Sequence, residues 1–261
     1  MPWYPTMTLL APSTPPPPGP TIDRSGRPPR SAVTDVAPVV LFTPAHDEEA
    51  TVARVVARAP RTVLGHPVHV LVVDDGSTDA TAVRAHGAGA EVLSLGRNCG
   101  LGAAVRVGLA TGVARGACAV AFLDADEEYA PEELEALIAP ILTGRADYVV
   151  GSRFIGDIRS MRAHRRVGNR VLTALLRRVA RAPVTDGQSG YRALSAEAAA
   201  AAEVIHDFNY AQVLTLDLLA KGYRYAEVPI TYRFRTEGES FVHLLPYLRR
   251  VVPAVVRELR R

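Results

Sequence analysis

The chain has 261 residues, enough for one large domain or two small ones. With 48% hydrophobic and 22% charged residues it has a globular balance, which excludes disorder along its whole length, and no apolar stretch of about 18 residues marks a membrane-spanning helix. The net charge is +3, and of the 30 Lys and Arg residues only Lys221 is a lysine; GC-rich coding accounts for that bias, and no nucleic-acid partner is expected.

Two cysteines, Cys99 and Cys118, are too few for a disulfide framework or a four-cysteine zinc site. No charged segment followed by an apolar run opens the chain, so a reducing cytoplasm is the expected compartment. Residues 1–37 hold half of the 20 prolines and no apolar periodicity, which reads as a disordered or polyproline-like tail. The folded unit is expected to start near Pro38.

From there short apolar runs alternate with helical stretches. Val39–Thr43 reads as a strand and Glu48–Arg58 as a helix, joined by Pro44-Ala45-His46-Asp47-Glu48-Glu49. Val68–Val73 is a fully apolar strand that ends in Asp74-Asp75-Gly76-Ser77-Thr78-Asp79. Ser77 or Thr78 there suits a helix cap, whereas Asp75 is placed to accept hydrogen bonds from a nucleobase edge or a ribose. Glu91–Leu95 reads as a strand and Leu101–Arg115 as a small-residue helix. The segment Asn98-Cys99-Gly100-Leu101-Gly102 before and into that helix lets a phosphate approach backbone N–H groups. No P-loop lysine motif and no G-x-G-x-x-G occur, which argues against P-loop and Rossmann dehydrogenase readings.

Cys118–Leu123 is a buried strand ending in Asp124-Ala125-Asp126, and Pro131 with Glu132, Glu133 and Glu135 suits a helix start. An acidic pair after a buried strand is a way to hold Mg²⁺ or Mn²⁺, whose other ligands come from substrate phosphates. Asp147–Val150 reads as a strand leading into Gly151-Ser152-Arg153. The βαβα order predicts a mostly parallel, doubly wound sheet flanked by helices in one α/β domain, with ligands at the carboxyl ends of its strands. Several strands end in polar clusters, which are therefore expected to meet at one crevice.

In the second half, Asp186-Gly187-Gln188-Ser189-Gly190-Tyr191-Arg192 reads as a tight loop in which Asp186 either acts as a base or fixes the loop by bonding Arg192. Ala211–Lys221 reads as a helix with Asp207 or Asn209 as cap. Tyr225–Arg233 reads as a strand placed at a sheet edge by Pro229. Residues 241–261 carry Leu244, Leu248, Val251, Val252, Val255 and Leu259 at helical spacing with arginines off the stripe. Such a basic amphipathic helix either lies on an anionic membrane surface or docks on the core.

The ordered set PAHDE, VVDDGSTD, NCGLGAA, LDAD, GSR and DGQSGYRA, from about Pro38 to Ser240, resembles the family 2 glycosyltransferases with the GT-A fold, and among them the polyprenol-phosphate hexosyltransferases. The resemblance implies an inverting, metal-dependent transfer of a hexose from a nucleotide-diphosphate sugar (GDP-mannose or a UDP-hexose) to a polyprenyl phosphate. It implies catalytic roles for Asp124, Asp126, Arg153, Arg165 and Arg235, and metal ligation of Mg²⁺ or Mn²⁺ by Asp124 and Asp126. The nucleotide would be held by Pro44, Ala45, Glu48, Asp75, Gly102, Asp124 and Ala125. The acceptor phosphate would be held by Arg153, Arg165, Asn169, Arg235 and Ser240. His46 and Asp47 stand where the family has tyrosine and asparagine, and Asn169 where serine is common. Glu128 stands where a metal-holding glutamine is common, either as a further ligand or facing solvent. A lipid-linked acceptor implies peripheral contact with the inner face of the membrane. The open alternatives are transfer to a hydroxyl of a soluble natural product or glycan, with Asp186 as base, and a non-catalytic nucleotide-sugar-binding module.

Overall fold

The computed structural model describes residues 36–158, 169–170, 172–174, 176–178, 182–205 and 210–233. Residues 1–35 of the tail, Arg165, Asp207, Asn209, Arg235, Ser240 and the 241–261 segment lie outside them.

One mixed sheet of eight strands forms the centre. The strands are β1 (Val39–Ala45), β2 (Thr62–Val63), β3 (His66–Asp74), β4 (Glu91–Ser94), β5 (Ala119–Phe122), β6 (Tyr148–Ile158), β7 (Arg192–Ser195) and β8 (Tyr225–Tyr232). Their order is β2-β3-β1-β5-β7-β6-β8, with β4 also on β3. β4, β3, β1 and β5 run parallel, and the apolar runs of β3, β1 and β5 are those of strands covered on both faces. The sequence reading missed β7, which is inserted antiparallel between β5 and β6. β8 is the edge strand that Pro229 called for.

Alternate side chains of each central strand enter opposite layers. Val39, Leu41, Val70, Val72, Ala119 and Ala121 pack with α1 (Val52–Arg58), α2 (Thr81–Gly87) and α4 (Leu134–Leu142). Val40, Phe42, Leu71, Val73, Val120 and Phe122 pack with α3 (Leu101–Ala114), α5 (Ala196–Ala201) and α6 (Ala211–Ala220). Helices on both faces make the sheet doubly wound. α3 lies close because Gly108 has no side chain: a Cβ there would sit 2.4 Å from the Phe42 ring. Phe42 is fully buried and stacks on Phe122 with centroids 5.0 Å apart, so truncating it to Ala would cost about 3–5 kcal/mol.

Two element boundaries differ from expectation for identifiable reasons. α1 begins at Val52 rather than Glu48, because Asp47 adopts a left-handed φ of 53° and residues 47–49 hydrogen-bond across to the next motif. β6 does not stop at Val150; its pairing with β8 carries it through Gly151-Ser152-Arg153 to Ile158, with an irregularity between Ser152 and Asp157.

Candidate functional site

The polar ends of β1, β3, β4 and β5 meet at the carboxyl edge of the sheet. The Ala45 carbonyl accepts from Asp75 N at 2.8 Å, and the Phe42 carbonyl from Leu123 N at 3.3 Å. The segments after β1 and β3 are joined side chain to backbone. Asp47 N donates to Ser77 Oγ at 3.0 Å, Glu48 N to Thr81 Oγ1 at 2.8 Å, and Thr78 N to Asp47 Oδ1 at 2.7 Å. Ser77 and Thr78 therefore do not cap α2, correcting that reading: α2 starts at Thr81, whose N–H donates to Asp79.

Asp75 is buried, and its two carboxylate oxygens accept from Cys99 N at 2.7 Å and Gly100 N at 2.9 Å. It thus ties the end of β3 to the turn that opens α3, where Gly102 is buried. Any base or ribose contact must use the lone pairs that remain. Asn98 Oδ1 accepts from Gly100 N, which leaves its amide nitrogen facing His46 Nε2 at 3.0 Å. Pro44 and Ala45 are buried strand residues, so they form the floor of this edge rather than offering side chains. Glu48 accepts from Thr51 Oγ1 at 3.1 Å.

β5 delivers Asp124 and Asp126, with Ala125 buried between them. Burial first, then the like charges of Asp126 and Glu128, push the Asp124 carboxyl up to about 8. Arg153 and Arg192 oppose that shift. A buried carboxyl raised by the like charges beside it is a donor set suited to a cation. Oxygen ligands of this kind fit Mg²⁺ or Mn²⁺, with substrate phosphates completing the shell. Among the described residues no three His, Cys, Asp or Glu side chains gather into a metal-holding group, and the role of Glu128, as a further ligand or facing solvent, stays as the sequence left it. The Glu128 N–H donates to Asp126 Oδ1 at 3.1 Å.

The loop from Asp186 to Tyr191 backs this acidic pair. A Cβ on Gly190 would lie 2.2 Å from Asp124 Oδ2, so only glycine leaves room for that carboxylate. Gly190 N donates to Tyr129 Oη at 2.8 Å, and Tyr191 Oη to the Pro131 carbonyl at 3.2 Å. The loop is not fixed by an Asp186–Arg192 bond. Asp186 pairs with Arg153: Nε reaches Oδ2 at 2.7 Å and Nη2 reaches Oδ1 at 2.8 Å, with both side chains buried. Burial would raise the Asp186 pKa, but Arg153 holds it below the usual carboxylate range.

Arg192, fully buried, donates to the Ser189, Gly187 and Ala211 carbonyls and to the Thr215 and Tyr148 hydroxyls. It shapes the loop through backbone oxygens. Sequence reasoning also missed Glu227, whose carboxylate accepts from Thr185 N and Asp186 N. Y-A-E-V in an edge strand carries no local sign of that contact. Of the predicted acceptor residues, Asn169 is half-buried, Arg153 is committed to Asp186, and Arg165, Arg235 and Ser240 lie outside the described residues.

Among known proteins, the model of Glycosyl transferase family 2 matches residues 40–201. The polyprenol monophosphomannose synthase of Mycolicibacterium smegmatis is 30% identical over 218 residues, covering 77% of this chain and 79% of its own. The undecaprenyl-phosphate mannosyltransferase of Micrococcus luteus is 32% identical over 182 residues, covering 66% and 74%. A glucosyl-3-phosphoglycerate synthase from Mycobacterium tuberculosis, crystallised with Mg²⁺ and UDP, superposes with a TM-score of 0.68 at 26% identity, covering 86% of this chain and 80% of that one.

Proposed function

The chain belongs to glycosyl transferase family 2, and from that premise we propose that it moves a hexose from a UDP- or GDP-sugar onto a polyprenyl phosphate, with Mg²⁺ or Mn²⁺ as cofactor. The observation that carries the acceptor class is the state of Asp186. A hydroxyl acceptor needs a base to take its proton. Asp186, the carboxylate the sequence offers for that task, is enclosed, bonded twice to Arg153 and held below the usual range. A phosphate monoester has a second pKa near ~6 and arrives ionised, so it needs no base. Relatives whose names specify mannosyl transfer to undecaprenyl phosphate, or polyprenol monophosphomannose synthesis, support the same reading.

In this reading Asp124 and Asp126 hold the cation, and the carboxyl edge of the sheet, with the α3 N-terminus, receives the nucleotide. The bound cation would neutralise the charge that builds on the departing diphosphate. An acceptor phosphate oxygen attacks the anomeric carbon as the bond to the nucleoside diphosphate breaks, and the diphosphate leaves with the electron pair. Arg165 and Arg235 bind the acceptor phosphate through charge-assisted hydrogen bonds, while Arg153 and Asp186 brace the wall behind it. A screen of UDP- and GDP-hexoses with Mn²⁺ tests this. Nucleoside diphosphate release should depend on added polyprenyl phosphate; release unaffected by the lipid would refute the assignment.

A further inference from the structure

The loop that carries the acidic pair is gripped from outside by helix α1. Glu127, between Asp126 and Glu128, has a left-handed φ of 63°, a conformation that favours glycine. Its carboxylate is taken by Arg54, with Nε at 2.9 Å and Nη2 at 2.6 Å from the same oxygen. One turn along α1, Arg58 lies 3.9 Å from the other Glu127 oxygen and makes a two-pronged bond to Glu132, at 2.7 and 2.9 Å. Glu132 sits in the 3₁₀ turn, Pro131–Glu133, that closes the loop. Two arginines on one helix face thus hold both ends of residues 127–132.

The backbone turned by Glu127 brings Glu128 N to 3.1 Å from Asp126 Oδ1, so the left-handed residue sets where the Asp126 carboxylate lies. We propose that Arg54 and Arg58, acting through Glu127, are positioning residues that hold Asp126 in the pose that takes the divalent cation. The inference rests on the metal-dependent reading above. Exposed ion pairs contribute little to stability in general. Here the pair acts on one strained residue next to a ligand, and groups that orient metal ligands typically change metal affinity by about 10–100-fold.

The test is Mn²⁺ binding in the presence of UDP or GDP, read by the loss of the free-ion electron paramagnetic resonance signal, with thermal unfolding run alongside. Arg54→Met and Glu127→Gln should each weaken Mn²⁺ binding about tenfold with little change in melting temperature. Glu127→Gly adopts the left-handed turn without help, so it should bind nearly as wild type. Adding Arg54→Met to Glu127→Gly should then change nothing further. Wild-type Mn²⁺ binding together with an unaltered Arg54→Met overturns this inference alone. A wild-type protein that takes up no Mn²⁺ with either nucleotide overturns the metal reading and this inference with it.

Discussion

Asp186→Asn separates a structural from a catalytic carboxylate. The wild-type side chain has no exposed surface, and its Arg153 partner is 6% exposed. The two oxygens accept from Arg153 Nε and Nη2, and also from the backbone N–H groups of Arg153 and Gln188, each at 3.1 Å. Asparagine keeps the shape but removes the charge and turns one acceptor into a donor facing the guanidinium. Breaking a buried ion pair on one side costs about 3–5 kcal/mol, because the remaining charge is left uncompensated. For a domain of this size that lowers Tm by on the order of 6–20 °C. Urea unfolding at pH 7, with the slope compared to confirm an unchanged transition, measures it. Replacing both partners, as Arg153→Met with Asp186→Leu, should recover much of the loss.

The pH dependence has a definite sign. Because the Asp186 pKa is lowered by folding, its stabilisation is full above the unfolded value of about 3.9 and is lost as pH falls through the folded value. The gap between wild type and Asp186→Asn should therefore hold from neutral pH down to about 4 and close below it. A variant that loses less than about 1 kcal/mol while its turnover collapses would show Asp186 free to act as a base, and the hydroxyl-acceptor alternative would replace the present reading.

Three further outcomes follow from the same geometry. Asp126→Ala should abolish transfer and Mn²⁺ binding while leaving circular dichroism and Tm essentially intact. Because Asp124 is pushed up to about 8 and must lose its proton to hold a cation, apparent Mn²⁺ affinity measured by titration calorimetry should climb with pH and level off above about 8. Gly190→Ala puts a methyl group where Asp124 Oδ2 now lies, so Mn²⁺ affinity should fall at least tenfold, in the range seen when groups around a metal ligand are disturbed, with a smaller change in Tm.

What was legible in the sequence was what is local. β1, β3 and β5 are buried on both faces, so they read as continuous apolar runs, and their polar ends follow directly in the chain. The convergence of the segments after β1 and β3 then follows from parallel topology. The antiparallel insertion of β7 was not legible, because Arg-Ala-Leu-Ser is four residues without a periodic signal. Nor were the pairs that decide chemistry. Arg153 and Asp186 are 33 residues apart, and Arg54 and Glu127 are 73 apart. In an arginine-rich chain nothing local separates such arginines from solvated ones.

The central claim is that the nucleophile is a phosphate that arrives ionised. The direct measurement offers the protein a UDP- or GDP-hexose with Mn²⁺ and, in parallel, polyprenyl phosphate, the corresponding polyprenol and 3-phosphoglycerate, with products identified by mass spectrometry. The account predicts a hexosyl phosphopolyprenol from the first acceptor and no transfer to the free alcohol. Transfer to the hydroxyl of polyprenol or 3-phosphoglycerate, with none to polyprenyl phosphate, would contradict it.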